Sequence, residues 1–238
     1  MNIGIFATLL LSSASAFAPS TRKAISTTVK AVPWVADGNA FAYGLPGSTG
    51  PIQNFDPFGF AANADYNTML RYREAETQHG RVAMLAVLGM LVTEEPIELH
   101  PLFEADNKDI GPAIRHLDEV RAVSPFFFEA FAIFIGLLEL NRALIGWKTP
   151  GEDVKFQEIK DEYFPGDISF DPFNLRPNSE REFAAMSAKE LNNGRLAMIG
   201  VMGFILQELV NGEEIFVNLG LAPDRFDPSS VPIQFPNL

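Results

Sequence analysis

Apolar residues of this chain are concentrated in three long segments, which polar stretches separate. In the first segment, helical periodicity begins at about residue 65 and continues to about 95, where Pro96 ends it. In the third segment it covers about 179–210, and Asn211 with Gly212 gives a C-terminal stop signal. At a rise of 1.5 Å per residue, these helices are about 46 and about 48 Å long, more than the roughly 30 Å hydrocarbon core of a membrane. We therefore expect both helices to cross a membrane at a tilt.

The middle segment predicts a shorter helix over about 124–147, with Ser124 as its N-cap and Pro125 at the first helical position. Its apolar part reaches about 33 Å, which is enough for one upright span. After the third helix, residues 213–219 predict a short amphipathic helix at the membrane surface. The predicted fold is therefore an all-α membrane protein with three transmembrane helices and a short amphipathic helix.

The first and third helices contain nearly the same motif. Glu76-Thr-Gln-His79-Gly-Arg81-Val-Ala-Met84 aligns with Glu190-Leu-Asn-Asn193-Gly-Arg195-Leu-Ala-Met198, and every matched residue is 114 positions from its counterpart. Because three spans make the two helices parallel, this repeat predicts a pseudo-two-fold axis along the membrane normal. The loop before each helix is repeated as well, in two short strings: Leu45-Pro-Gly47 with Phe164-Pro-Gly166, and Phe55-Asp-Pro-Phe58 with Phe170-Asp-Pro-Phe173.

Composition excludes several classes of site. The 238 residues are 47% hydrophobic, which fits a few spans joined by polar loops. They contain no Cys, so disulfides, thiolate metal sites and iron–sulfur clusters are excluded, and three His make a poly-His site improbable. The net charge is −12, and it becomes −15 without residues 1–31, which contribute three basic residues and no acid. Nucleic acid is therefore not an expected partner.

The N-terminal 31 residues predict a targeting sequence. An apolar run from Ile3 to Leu11 precedes small residues at Ala14-Ser-Ala16, the pattern of a signal-peptidase site. A segment rich in Ser, Thr and Lys follows Phe17, as in the bipartite presequences of algae with secondary plastids; an ordinary secretory signal is the alternative. We expect residues 32–238 to form one domain.

Charged residues in the repeated helices require partners, because an unpaired charge in a membrane is costly. The two-fold relationship brings each Glu opposite the Arg of the other helix. It therefore predicts two reciprocal ion pairs, Glu76 with Arg195 and Glu190 with Arg81. An ion pair would leave each carboxylate neutralised, with a lone pair to spare for a metal.

Further single donors lie along the helices. His79 and Asn193 occupy matched positions, and Gln207 lies near the same helix face as Asn193. On the middle helix, Glu139 and Arg142 form a similar Glu–Arg pair within one turn. Dispersed donors suit a cofactor that fills four coordination positions itself and needs one axial ligand, as a magnesium tetrapyrrole does. Small residues around the motif allow a close approach of backbones or flat rings. The simpler alternative is that the polar residues only face solvent and the small residues only allow helices to pack. The duplication of the whole motif argues against it.

The two motifs resemble the signature helices of the chlorophyll-binding light-harvesting antenna family, and the resemblance covers about residues 32–221. With the presequence, the chain is most similar to fucoxanthin chlorophyll a/c-binding proteins of diatoms and related algae. The resemblance implies three thylakoid helices with helices 1 and 3 crossed, chlorophyll a, chlorophyll c and fucoxanthin or related carotenoids as cofactors, and loops that cap the carotenoid ends. By resemblance, the axial ligands are Glu76, His79, Glu190, Asn193, Gln207 and Glu139, the charge partners are Arg81, Arg195 and Arg142, and the loop residues are Asp56, Pro57, Asp171 and Pro172.

The resemblance also implies the function and its setting. We expect a multi-pass thylakoid protein of a secondary plastid, surrounded by thylakoid lipids and neighbouring antenna subunits, that passes excitation to a photosystem I or photosystem II core. No residue is expected to be catalytic. Glu129 is an additional candidate ligand or a residue that faces protein, and this chain lacks the His that many members carry after the third span.

A photoprotective relative that responds to lumenal pH is the alternative function. Acidic residues follow helices 1 and 3 on one predicted side, namely Glu94, Glu95, Glu98, Glu213 and Glu214. A solvated acidic rim is the simpler explanation of the same residues. An enzyme or transporter has no support, because the loops offer no nucleophile with a base and no phosphate-binding loop.

Overall fold

The computed structural model describes residues 36–50, 52–94, 96–97, 99, 111–151 and 157–223. Within these ranges the chain forms five α-helices and no strand: α1 (Tyr66–Thr93), α2 (His116–Val123), α3 (Phe127–Gly146), α4 (Glu180–Asn211) and α5 (Ile215–Asn218). The predicted presequence, together with Glu95, Glu98 and His100, lies outside the described residues. Among the described residues, no helix combines the length with the apolar run that a membrane crossing requires.

Helices α1 and α4 agree closely with the predicted bounds. Gly212 adopts a left-handed conformation (φ 72°) after α4, and its N–H donates to the Glu208 carbonyl at 2.8 Å. This bond confirms the predicted C-terminal stop, because glycine takes that conformation without a Cβ penalty. Helix α5 covers only four residues of the predicted 213–219, because Glu214 is extended (φ −63°, ψ 155°) and serves as its N-cap.

The predicted start of the middle helix is wrong. Ser124 ends α2, because its N–H donates to the Val120 carbonyl at 2.7 Å, and α3 begins only at Phe127 with Phe126 as N-cap. The polar stretch predicted as a loop therefore contains helix α2. Its buried Val120 packs against Phe128, which explains why a short helix forms there.

Helices α1 and α4 cross at Gly80 and Gly194. A Cβ added to Gly80 would lie 2.9 Å from the Gly194 Cα, and a Cβ on Gly194 would lie equally close to the Gly80 Cα. The two glycines are 114 positions apart, like the other residues of the repeat. Their contact places the centre of the sequence repeat at the crossing point and confirms the predicted crossed, pseudo-symmetric pair.

The apolar core lies beside the N-terminal part of α1. Met69 and Leu70 of α1 are buried with residues of the flanking loops, and the cluster comprises Ala42, Leu45, Met69, Leu70, Ile159, Tyr163 and Phe164. In α3, by contrast, Gly146 is the one buried residue, and the apolar side chains from Phe131 to Leu144 are mostly exposed. The loops thus fold onto α1, while α3 presents apolar surface on nearly every side.

Candidate functional site

Two reciprocal ion pairs join α1 and α4 on either side of the glycine crossing. Arg195 Nε donates to Glu76 Oε1 at 2.7 Å, and Arg81 Nε donates to Glu190 Oε1 at the same distance. Both predicted pairs are therefore confirmed, and the equal distances match a two-fold relationship. Each Arg neutralises a carboxylate of the opposite helix.

The repeated Pro-Gly loops pack on these Arg residues. Arg195 Nη1 donates to the Gly47 carbonyl at 2.7 Å. Gly166, the loop counterpart of Gly47, packs against α1. A Cβ added to Gly166 would be 2.7 Å from Thr77 Cγ2 and 3.2 Å from Arg81 Nη2. Both glycines have a positive φ, 117° and 86°. Left-handed backbone and lack of space therefore both select glycine at these positions.

The paired carboxylates remain accessible. The side chains of Glu76 and Glu190 are 28% and 36% exposed, although one oxygen of each accepts a hydrogen bond from Arg. The other oxygen of Glu76 lies 3.5 Å from Arg73 Nε, a distance of an ion pair rather than a hydrogen bond. A carboxylate that an Arg neutralises, and whose side chain stays partly exposed, can ligate a hard cation. The donor chemistry of both residues therefore fits an axial ligand of magnesium.

The hydrogen bonding of His79 fixes its tautomer. His79 Nδ1 lies 2.7 Å from the Ala75 carbonyl, and since a carbonyl can only accept, Nδ1 carries the proton. In the neutral imidazole with this tautomer Nε2 carries the free lone pair, and the side chain is exposed. A His that donates through one ring nitrogen and offers the other is the usual arrangement of a metal-ligating imidazole.

The amide candidates lie on the surface of α4. Asn193 is exposed beside the crossing, and Gln207 is half-buried near the end of the helix. Gln207 Nε2 donates to Asn211 Oδ1 at 3.0 Å and to the Glu213 carbonyl at 2.8 Å. These bonds occupy the two amide protons, so the carbonyl oxygen is the atom that Gln207 has left to offer.

The Glu139 site on α3 includes more residues than the sequence indicated. Arg142 Nη1 donates to Glu139 Oε2 at 2.5 Å, which confirms the predicted pair. Gln78 of α1 donates to the other oxygen of Glu139 at 2.8 Å, and Arg142 Nε donates to Glu74 at 2.9 Å. Sequence reasoning missed Glu74, because its counterpart in the repeat is Ala188.

The two Asp-Pro loops fold alike. Asp56 accepts from the backbone N–H groups of Phe60 (2.9 Å) and Ala61 (2.7 Å), and Asp171 accepts from those of Leu175 (2.9 Å) and Arg176 (3.0 Å). Both carboxylates therefore stabilise their own loops. Pro57 and Pro172 are exposed beside Phe58 and Phe173, each 80% exposed, so the loops offer apolar rather than charged surface.

The remaining candidates do not join these sites. Glu129 lies 3.9 Å from Arg121, and the side chains of both are about half exposed. His116 Nε2 is 3.0 Å from the Gly111 carbonyl, so this partly buried ring contacts a loop. Among the described residues, no three His, Asp or Glu side chains are grouped so that they could hold one metal ion.

Buried carboxyl groups lie at the ends of α1 and α4. Glu94 and Glu208 are 114 positions apart, so they are counterparts in the repeat, and each is 1% exposed. Glu94 accepts from the backbone N–H groups of Ala113 (3.0 Å) and Ile215 (2.8 Å), and burial raises the pKa of its carboxyl above the ordinary value. The solvated rim is thus wrong for Glu94 and for Glu214, which is 4% exposed, while Glu213 is exposed.

Comparison with known proteins identifies the family. Residues 41–209, which contain every predicted site residue, match a family model described as chlorophyll A-B binding protein. The chain is 44% identical over 200 residues to the chloroplastic light-harvesting complex stress-related protein 3.2 of Chlamydomonas reinhardtii, an alignment that covers 83% of this chain and 74% of the relative. It is 43% identical over 200 residues to a chloroplastic fucoxanthin-chlorophyll a-c binding protein of Isochrysis galbana, covering 82% and 91%. The chain therefore belongs to the chlorophyll a/b-binding family of light-harvesting proteins.

Proposed function

We propose that this protein is an antenna subunit of a plastid thylakoid membrane, which absorbs light and passes excitation to a photosystem I or photosystem II core. The observation that carries the proposal is the pair of reciprocal Glu–Arg bonds across the glycine crossing. In these bonds an Arg balances the charge of each carboxylate, which remains a partly exposed oxygen donor. In this proposal α1, α3 and α4 lie in the membrane among lipids and neighbouring subunits, and residues 1–31 direct import.

The proposed axial ligands are the donors described above. His79 offers Nε2, and Asn193 and Gln207 offer amide oxygens. Glu76 and Glu190 offer oxygens whose charge an Arg balances, and Glu139 offers an oxygen beside Arg142, which it shares with Glu74. A bound chlorophyll supplies light absorption; the protein residues hold each ring at a fixed position and polarity. Glu129 is not included, because nothing around it distinguishes it from a surface carboxylate.

Chlorophyll a, chlorophyll c and fucoxanthin are the proposed pigments. The relative from Isochrysis galbana is named as a fucoxanthin-chlorophyll a-c binding protein, which supports these pigment types for this chain. The exposed Phe58 and Phe173 beside the Asp-Pro loops suit the apolar ends of long carotenoids. The broad apolar surface of α3 would likewise be covered by pigments and lipid.

The test is pigment analysis of the purified complex and of a His79→Leu variant. We expect the variant to lose one chlorophyll per chain while it keeps its helix content, because its Nδ1 bond is local to α1. His116→Leu is the matched control, since that ring contacts a loop carbonyl outside the proposed site. A wild-type complex without chlorophyll would refute the function, and an unchanged pigment count in His79→Leu would refute that ligand alone.

A second candidate is a photoprotective role controlled by lumenal pH, and the burial of Glu94 specifically favours it. Because its pKa is raised in the fold, protonation stabilises the folded end of α1, and this stabilisation is lost as the pH rises through the folded-state pKa. The 44%-identical relative from Chlamydomonas reinhardtii is named as a stress-related protein. Fluorescence yield of the purified complex between about pH 5 and about pH 7.5 separates the roles, because a pure antenna should show little change.

A further inference from the structure

Glu74 is a buried carboxylate on α1 that the repeat does not explain. Its side chain is 3% exposed, and it accepts three hydrogen bonds: from Arg142 Nε (2.9 Å), Tyr163 Oη (3.0 Å) and Gly166 N (2.6 Å). Its donors come from α3 and from the second Pro-Gly loop. Both oxygens of the carboxylate therefore accept hydrogen bonds, and the side chain is buried, which leaves Glu74 unsuited to ligate a pigment itself.

Arg142 connects Glu74 to the proposed ligand Glu139. The same guanidinium donates through Nε to Glu74 and through Nη1 to Glu139, and its own side chain is only 17% exposed. Gln78, one helical turn after Glu74, donates to the other oxygen of Glu139. The planar guanidinium fixes the angle between its two carboxylates, so a change at Glu74 is transmitted to Glu139.

Apolar packing alone does not hold α3 in place beside α1. Gly146 is the one α3 residue that is buried, and the apolar side chains between Phe131 and Leu144 are mostly exposed. The orientation of Glu139 therefore depends strongly on its polar links to α1. On the other half of the repeat, Ala188 occupies the position of Glu74 and offers no equivalent link.

We propose that Glu74 is a positioning residue for the chlorophyll on α3: it fixes Arg142 against α1 and thereby orients Glu139 as the axial ligand. This inference rests on the proposed ligand role of Glu139. It has an electrostatic consequence, since one Arg142 balances two carboxylates. The α3 site has two carboxylates for one guanidinium, whereas Glu190 has Arg81 to itself and Glu76 lies beside two guanidiniums, Arg195 and Arg73. The pigment at Glu139 should therefore absorb at a different wavelength from the pigments at Glu76 and Glu190.

The experiment refolds the full chain with chlorophylls and carotenoids and compares low-temperature absorption spectra. Glu139→Leu first identifies the band of the α3 pigment as the band that disappears. Glu74→Gln is then expected to displace or remove that same band, with no more than one chlorophyll lost per chain and the other bands unchanged. Glu182→Gln, an exposed acid on α4, is the matched control and should leave every band in place.

A double-variant cycle tests whether Glu74 acts through Arg142. Adding Glu74→Gln to Arg142→Gln should produce no further change in the α3 band, because the connection is already broken. Additive displacements would overturn the inference, as would an unchanged α3 band in Glu74→Gln or an equal change in all bands. Where Glu74→Gln does not refold, Glu74→Asp gives the same test, since the shorter side chain cannot keep its bond to Arg142. An undisplaced α3 band in that variant overturns the inference.

The outcomes also separate this inference from the proposed function. Loss of the band in Glu139→Leu with no effect of Glu74→Gln would refute the positioning role and keep the ligand. No pigment loss in Glu139→Leu would refute the ligand, and the inference would fall with it.

Discussion

The glycine crossing gives the sharpest mechanical prediction. In Gly80→Ala, the new Cβ would lie 2.9 Å from Gly194 Cα and 3.5 Å from Gly194 C, and both atoms are backbone. Carbon atoms in favourable contact are about 3.5–4.0 Å apart, so the helices must separate by roughly 0.6–1.1 Å at the crossing. Overpacking of this kind costs about 1–3 kcal/mol.

Gly89→Ala is the matched control on the same helix. No atom lies within 4 Å of a Cβ placed at Gly89, so this substitution brings only the helix preference of alanine, about 0.5–1 kcal/mol of stabilisation. Gly80→Ala gains the same preference, which cancels when the two variants are compared. The remaining difference is the packing term of about 1–3 kcal/mol.

The assay is thermal unfolding of the detergent-solubilised complex, followed by far-ultraviolet circular dichroism. For a chain of this size, 1 kcal/mol corresponds to about 2–4 °C, so Gly80→Ala should melt about 2–12 °C below Gly89→Ala. Separation of the helices would also stretch the ion pair between Arg195 and Glu76, now 2.7 Å long. Equal melting temperatures would mean that the glycine contact does not limit the approach of α1 to α4.

Three further predictions concern single polar contacts. Arg195→Leu should destabilise the complex by about 3 kcal/mol or less, because Glu76 loses its hydrogen-bonded partner, keeps only Arg73 at 3.5 Å and remains partly exposed. Adding Glu76→Leu should recover part of the loss in a thermal melt. The wild type should lose stability as the pH rises through the raised pKa of Glu94, and Glu94→Gln should reduce this dependence of stability on pH. A variant whose stability changes with pH as steeply as that of the wild type would refute the role of the Glu94 carboxyl. Tyr163→Phe should cost about 1.5–3 kcal/mol, since its hydroxyl donates to the ionised Glu74, and a melting temperature equal to the wild type would contradict this.

The repeat made the centre of the molecule predictable from the sequence. A constant spacing of 114 residues relates two helices by symmetry, and symmetry then pairs Glu76 with Arg195 and Glu190 with Arg81 without further information. The Gly80 and Gly194 contact follows from the same spacing. These contacts could be predicted because both partners of each one belong to the same repeated sequence pattern.

Contacts outside the repeat could not be predicted in this way. Glu74 meets Arg142, which is 68 positions away, and Tyr163, which is 89 positions away, and no periodicity connects these residues. Ser124 was misassigned because a Ser-Pro pair has the same local sequence at the end of one helix as at the start of the next. The difference is the bond from its N–H to Val120, which only the fold reveals.

Glu94 was a different failure, because the signal was present in the sequence. Glu94 and Glu208 have the same spacing of 114 as the motif residues, so they had to meet near the pseudo-two-fold axis as their helices do. Surface residues need not obey the repeat, whereas residues that face a shared axis do. An acid conserved between both halves should therefore have been assigned to the interface rather than to a solvated rim.

The two halves share a scaffold but not their proposed ligands. Reciprocal Glu–Arg pairs and crossing glycines are duplicated, because they hold the helices together and both halves need them. The proposed donors differ: His79 aligns with Asn193, and Gln207 aligns with Thr93. Glu74, which holds Arg142 but is not itself a donor, aligns with Ala188. A ring nitrogen and an amide oxygen differ in donor strength, and the carboxylate of Glu74 changes the local charge on one half only. Symmetry thus serves packing, while the departures from it provide sites that can hold pigments at different energies.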